Sequence, residues 1–215
     1  MILATNMAST PFIQRFTGQF AIVTGAARGI GFAIASRLAK EGAAVALLDV
    51  DEDAATQAVA KLQNPLCTSV AVDVRNKNSV ATAFQTITEK FSTIHVLVNA
   101  AGITGCTNIR TAEVDPEDWE KVYAVNVRGL FLTCRLALPI MERQKYGRIL
   151  NIASISGKEG NAGMAAYSSS KAAVIGLTKV IGKEYATTGI TCNAIAPAVV
   201  QTEMVAALPK QQVYL

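Results

Sequence analysis

The chain has only four cysteines in 215 residues, Cys67, Cys106, Cys134 and Cys192, and no two form a Cys-x-x-Cys pair. Such spacing fits neither a zinc site nor a disulfide framework, and it suits a reducing compartment. Histidine is scarcer still: His95 stands alone, at the start of an apolar run and far in sequence from the other polar candidates, which reads as structural. Twenty Lys and Arg against sixteen Asp and Glu leave a net charge of +4, but the basic residues form no run, so nothing points to nucleic acid. No uninterrupted apolar stretch approaches the roughly 20 residues of a membrane span, and no membrane partner is expected. Internal repeats, low-complexity tracts and Pro/Ser-rich linkers are also missing. What remains is 51% hydrophobic and 17% charged, enough for one sizeable core on the usual scale of about 100–200 residues per domain. The expectation is one soluble, cytoplasmic domain over residues 18–215.

Residues 1–17 read as an N-terminal extension. Before Arg15 there is no charge, and the basic start, apolar centre and cleavage site of a signal peptide are absent. The acid-free composition leaves a weak organellar presequence open, and Met7 leaves the start codon open.

From Phe20 onward, short apolar runs alternate with longer amphipathic stretches. The runs Phe20–Thr24, Ala44–Asp49, Thr68–Val72, His95–Asn99, Arg148–Ile152 and Ile190–Ile195 suit strands buried on both faces. Helices are expected over Ile30–Glu41, Glu52–Leu62, Val80–Phe91, Pro116–Glu142 and Tyr167–Tyr185. Strand–helix alternation predicts an α/β fold with a doubly wound parallel sheet and right-handed crossovers.

The first run leads into Thr24-Gly25-Ala26-Ala27-Arg28-Gly29-Ile30-Gly31, and a helical pattern follows at once. Gly25 permits a tight turn, and the other glycines let backbone approach a pyrophosphate at a helix N-terminus. The second run ends in Asp49, eighteen residues after Gly31, where a carboxylate accepts hydrogen bonds from an adenosine ribose and repels a 2′-phosphate. Asp49 therefore favours NAD over NADP, while Arg28 pulls weakly the other way and leaves NADP open. Asp51, Glu52 and Asp53 read as helix N-terminal charges. Asp73 and Val74 close the third strand, and Asn99, Ala100 and Gly102 close the fourth, where ligands lie in an open parallel sheet. For Asn99 a cofactor contact and a purely structural tie are both open, and they are compatible.

Asn151-Ile152-Ala153-Ser154 closes the fifth strand, and Tyr167 follows thirteen residues later, with Lys171 one helical turn beyond it. Tyr and Lys at i and i+4 share a helix face, so an ammonium there draws a phenol with an ordinary pKa near 10 down toward neutrality. Ser154 is placed to hold the substrate oxygen beside the phenol.

Together these residues resemble the short-chain dehydrogenase/reductase family, in order from about Gly18 to Thr202. The resemblance implies a Rossmann-type fold using NAD(P)(H) without metal. It implies Tyr167 as general acid/base, Ser154 on the carbonyl or hydroxyl oxygen, and Lys171 on the nicotinamide ribose. Asn126 would stand at a bend of its helix and position a water. Pro197, Val200 and Thr202 would clamp the nicotinamide amide, although Pro197-Ala198 replaces the family's usual Pro-Gly. Beyond Thr202 the family continues through a substrate lid to a seventh strand, so that strand is expected to be missing here. A homodimer through the two long helices stays open, and the family's tetramer is not expected.

The small-molecule substrate expected is a secondary alcohol or ketone. Thr104, Arg110 and the polar stretch 155–164 hint at a sugar acid or hydroxy acid, against a plain solvated loop. A 3-oxoacyl thioester reductase and a nucleotide-binding protein without catalysis are the competing readings. Trp119 reads as packing, and Cys106 lacks a nearby base that would make it a nucleophile.

Overall fold

A computed structural model describes residues 14–206. The first strand, β1 (Phe20–Thr24), is buried throughout and leads through the glycine-rich turn into α1 (Gly29–Lys40). β2 (Ala44–Asp49), α2 (Glu52–Leu62), β3 (Thr68–Ala71) and α3 (Lys77–Lys90) complete the first half. The second half runs β4 (Val96–Asn99), α4 (Pro116–Tyr123), α5 (Leu130–Arg143), β5 (Gly147–Ile152), α6 (Ser156–Glu159), α7 (Ala165–Glu184), β6 (Ile190–Ile195) and α8 (Glu203–Ala206). A 3₁₀ turn at Thr111–Glu113 precedes α4, and a π-helical turn, Ala124–Gly129, joins α4 to α5.

The described strands form one parallel sheet in the order β3-β2-β1-β4-β5-β6. From β3 at one edge the chain returns to β4 beside β1, so the order reverses between β1 and β4 and opens a crevice at their carboxyl ends. Alternate residues face opposite layers. Phe20 and Ile22 join Leu97, Ile149 and the apolar faces of α3, α5 and α7, whereas Ala21 and Val23 join Val45, Leu47, Val98 and the faces of α1 and α2. At the edge, β6 is only partly covered among the described residues.

The expected strands and helices are present with ends shifted by at most three residues, and α6 and α8 fall where no helix was expected. The continuous helical stretch Pro116–Arg143 is long and apolar enough by composition to cross a membrane, but half of its most apolar window is buried within the fold. It is a core helix. Of the expected extension, residues 1–13 lie outside those described, and residues 14–17 pack against the body: Arg15 Nη2 donates to Glu41 Oε1 at 2.7 Å. The start of the lid beyond Ala206 likewise lies outside the described residues.

Glu41, at the end of α1 with its side chain 1% exposed, also accepts from Arg37 Nε. Hydrogen bonds from Arg15 and Arg37 hold its carboxyl down at about 2. Its folded pKa lies below the unfolded one, so this stabilisation is full above the ordinary carboxylate range and fades as pH falls toward about 2. Glu41→Gln is expected to lower the thermal midpoint at pH 7 and to lower it less at pH 3. Melts at the two pH values check this, and an equal loss at both would remove the electrostatic explanation.

Candidate active site

The glycine-rich turn depends on three positions where a side chain has no room or the wrong backbone. Gly25 and Gly29 hold positive φ, 61° and 57°. A Cβ on Gly25 would stand 2.7 Å from the backbone of Ala101, and one on Gly31 would stand 2.1 Å from the Gly25 carbonyl oxygen. Gly31 therefore serves the contact between the first turn of α1 and the loop. Gly29 is the open one: a Cβ there would meet only the Thr202 side chain, at 3.6 Å. Arg28 caps α1 in extended conformation without a side-chain hydrogen bond, and the first turn carries no acid. Unclaimed N–H groups and the helix dipole make this end attractive to an anion.

A cleft of about 490 Å³ runs from this turn along the strand ends, a volume that suits a ligand of cofactor or drug size. Gly25, Arg28, Gly29, Ile30, Gly31, Asp49, Asp73, Val74, Ala100, Gly102, Ser154, Tyr167, Lys171, Pro197, Val200 and Thr202 all line it. Asn99 and Asn126, expected beside the cofactor and the reaction, do not.

Asn99 is 3% exposed and faces α5 and β5; its Nδ2 donates to Asn151 Oδ1 at 2.9 Å. Of its two open readings, the structure displays the tie between elements, and the cleft is met by the backbone just beyond it. Thr24 Oγ1 holds that backbone, accepting from the N–H groups of Ala100 and Ala101 at 3.2 Å.

Asn126 lies in the π-helical turn, the feature corresponding to the expected bend. A π turn inserts an extra residue per turn and often marks functional positions. The buried Asn126 amide clasps Ile103 from both sides: Oδ1 accepts from its N–H at 2.9 Å, and Nδ2 donates to its carbonyl at 2.9 Å. Nδ2 also donates to Ser170 Oγ at 3.0 Å. A Cβ on Gly102 would lie 3.3 Å from Asn126 Oδ1 and 3.4 Å from Lys171 Nζ, so glycine lets both groups close on this segment.

Ser154 Oγ accepts from Ser156 N–H at 3.2 Å, and both Ser154 and Tyr167 line the cleft. Burial raises the Tyr167 phenol, and the Ser154 hydroxyl offsets part of that rise. Lys171 does not draw the phenol down as expected from the sequence. Its Nζ is 5.6 Å from the Tyr167 ring centre and donates to the Ile152 carbonyl at 2.7 Å. Burial instead pushes the Lys171 ammonium down to about 8. Gly157 escaped notice in the sequence, yet a Cβ there would stand 2.6 Å from the Lys171 backbone; this glycine seats α6 on α7 beside the lysine.

Towards the adenosine end, Asp49 Oδ2 accepts from Ala27 N–H at 3.0 Å and Oδ1 from Asp51 N–H at 3.2 Å. Asp51 caps α2, accepting from Ala54 N–H at 3.0 Å, as its position implied. Its second oxygen lies 2.8 Å from Arg28 Nη2, and Glu203 lies 3.4 Å from Arg28 Nη1. Asp73 is bound by the Arg75 guanidinium at 2.7 Å, which lowers its pKa. Thr202 Oγ1 accepts from Val205 N–H at 3.3 Å, at the start of α8. His95 Nδ1 accepts from Phe20 N–H at 3.0 Å, far from the cleft. Thr104 and Arg110 are absent from the cleft lining.

A dinucleotide crevice crossed by a Ser–Tyr–Lys set defines a Rossmann-type oxidoreductase architecture. The short chain dehydrogenase family model matches residues 19–213, and the chain belongs to that family. It is 41% identical over 202 residues to 2-dehydro-3-deoxy-L-rhamnonate dehydrogenase (NAD(+)) of Sphingomonas sp. (strain SKA58), covering 94% of this chain and 80% of the relative. It is 42% identical over 191 residues to 3-oxoacyl-[acyl-carrier-protein] reductase of Synechocystis sp., covering 87% and 76%. The crystal structure of 3-ketoacyl-(acyl-carrier-protein) reductase from Brucella melitensis complexed with NADH superposes with a TM-score of 0.86 at 30% identity, covering 89% of this chain and 79% of that one.

Proposed function

We propose that this chain is a nicotinamide-dependent dehydrogenase that interconverts a secondary alcohol and a ketone, with NAD(H) as its preferred cofactor. The observation that carries the reading is the convergence of Gly29, Asp49, Ser154, Tyr167 and Lys171 on one cleft. The fit to a dinucleotide rests on the open face of Gly29 and the uncapped start of α1. Gly25, Gly29, Ile30 and Arg28 would hold the pyrophosphate; Asp49 the ribose; Asp73 and Val74 the adenine; Ala100 and Gly102 the middle of the cofactor; Pro197, Val200 and Thr202 the nicotinamide amide. When bound, the dinucleotide supplies the acceptor or donor of a hydride.

Tyr167 takes the hydroxyl proton during oxidation and returns it to the carbonyl oxygen during reduction. Ser154 aligns that oxygen through its hydroxyl. Lys171 carries positive charge beside the proton-transfer site, and Asn126 keeps Ile103 and α7 at fixed spacing around it.

Preference for NAD(H) is supported by Asp49 and by the ion pairs of Arg28. The cation set against Asp49 is already matched by Asp51 and Glu203. Asp49→Asn is expected to move the ratio of NADPH to NADH affinity by about tenfold towards NADPH, a difference of ~1.4 kcal/mol. Fluorescence titration of wild type and variant measures it, and tighter NADPH than NADH binding in the wild type would overturn the preference.

The substrate class proposed is a hydroxy acid or sugar acid, supported by the rhamnonate-type relative. The thioester reductase reading rests on the other named relatives. NAD-linked turnover across sugar acids, hydroxy acids, 3-oxoacyl thioesters and steroids separates them. Activity confined to thioesters would replace the substrate reading, and absence of dinucleotide binding would overturn the functional reading itself.

A further inference from the structure

Beneath the cleft, four polar side chains cross the otherwise apolar layer between the sheet and the helices α5 and α7. Thr133 Oγ1 shares its one hydrogen between Asn99 Oδ1 at 2.6 Å and the Leu130 carbonyl at 2.8 Å; Asn99 Nδ2 donates to Asn151 Oδ1 at 2.9 Å; Asn151 Nδ2 donates to Thr178 Oγ1 at 2.9 Å. Thr178 Oγ1 in turn donates to the Val174 carbonyl at 2.7 Å. The amide nitrogens also contact Cys134 Sγ at 3.4 Å and Cys192 Sγ at 3.6 Å. All four residues are buried, Asn151 completely.

Asn99 and Asn151 are register partners on β4 and β5. Each stands three residues before a cleft residue, Gly102 and Ser154 respectively. Thr133 belongs to α5, just past the turn carrying Asn126, and Thr178 lies seven residues after Lys171, two turns along the same face of α7. The bridge thus joins both helices that flank the reaction to both strands that deliver its other groups.

Cohesion alone does not call for such a bridge. Apolar side chains of the same volume would hold these layers at least as well, because buried polar groups first lose their hydration. A fully satisfied network adds direction: each bond fixes distance and angle, where an apolar contact lets a helix slide. We infer that Thr133, Asn99, Asn151 and Thr178 are positioning residues for the reaction, setting α5 and α7, and with them Asn126, Tyr167 and Lys171, against Gly102 and Ser154. The inference rests on the dehydrogenase reading given above.

Thr178→Val keeps the shape and removes the hydroxyl, whereas Thr178→Ser keeps the hydroxyl. In the Val variant kcat is expected to fall about tenfold or more, since an error of an ångström in placement can cost about 10²-fold. KM is expected to change much less, and Ser restores kcat. A second readout needs no substrate: in protein with [¹³Cε]lysine, the Lys171 midpoint near 8, assigned with Lys171→Met, is expected to rise as α7 loosens and water reaches the ammonium.

A Val variant with a lowered melting temperature but unchanged kcat and Lys171 midpoint overturns the inference and leaves a stabilising role only. If wild type turns over no carbonyl substrate, the functional reading fails, and the Lys171 midpoint still decides the bridge. If Thr178→Val does not fold, Thr133→Val at the opposite end is read in the same two ways.

Discussion

Replacing Tyr167 by Phe is expected to reduce kcat by about 10²-fold or more, in line with the usual contribution of a positioned acid or base. The ring remains and packs as before; only the proton-carrying oxygen is lost. Dinucleotide affinity is expected to change little, because the glycine turn, Asp49 and Lys171 are untouched. The pH dependence follows from the direction of the Tyr167 shift. Burial favours the neutral phenol, so oxidation, which needs phenolate, gains with rising pH, whereas reduction, which needs the phenol, holds through neutrality and falls at alkaline pH. Steady-state rates in both directions, with NADH titration of the variant, provide the measurements. Equal turnover by wild type and variant would remove Tyr167 from the chemistry.

The second large effect is structural. Gly31→Ala places a methyl 2.1 Å from the Gly25 carbonyl oxygen and 3.2 Å from Ala26 Cα, and the obstructing atoms are backbone. α1 has to back away from the loop, or the loop has to open. Overpacking of this kind costs about 1–3 kcal/mol or more. At about 2–4 °C per kcal/mol for a chain of this size, the melting temperature is expected to fall by about 5–10 °C. Dinucleotide binding is expected to weaken in parallel, because the N–H groups of α1 and the loop no longer share one geometry. Gly176→Ala supplies the contrast. A Cβ there meets nothing within 4 Å, and alanine improves helix propensity by up to about 1 kcal/mol. If both substitutions had the same effect, the close approach at Gly31 would not be the cause.

The sheet was legible because its strands are rich in apolar and β-branched residues, with β1, β2 and β4 buried on both faces. Phe20–Thr24, Ala44–Asp49 and Ile190–Ile195 have the boundaries expected from that pattern. Helix ends were less legible, since capping is decided by one or two side chains: Asn76 accepts from the N–H groups of Asn78 and Ser79 and starts α3 three residues before Val80. The π turn at Ala124–Gly129 has no compositional mark, and only the family resemblance suggested a bend at Asn126. Most of the cleft was legible through glycine spacing and strand ends.

What escaped was the destination of each polar side chain. Asn99 and Asn151 follow the same local pattern, a polar residue closing an apolar strand, and the parallel register turns them towards each other. Thr178 on a helix face buried against the sheet was the remaining signal, since a hydroxyl there must find a partner. The direction of the Tyr167 shift was misjudged for a related reason: adjacency on a helix says nothing about burial, which raises the phenol.

Among the four cysteines, Cys67 and Cys134 are buried, Cys192 is partly so, and Cys106 is exposed. Cys106 follows Gly102 by four residues and is anchored by its N–H to Asp118 Oδ2 at 2.7 Å. Burial also raises the thiols of Cys67, Cys134 and Cys192, slowing their alkylation. The unaltered protein thus offers a selective attachment point for a maleimide dye or nitroxide beside the segment that Asn126 clasps. Spectroscopy at that point can follow cofactor arrival in real time without introducing a cysteine or deleting one.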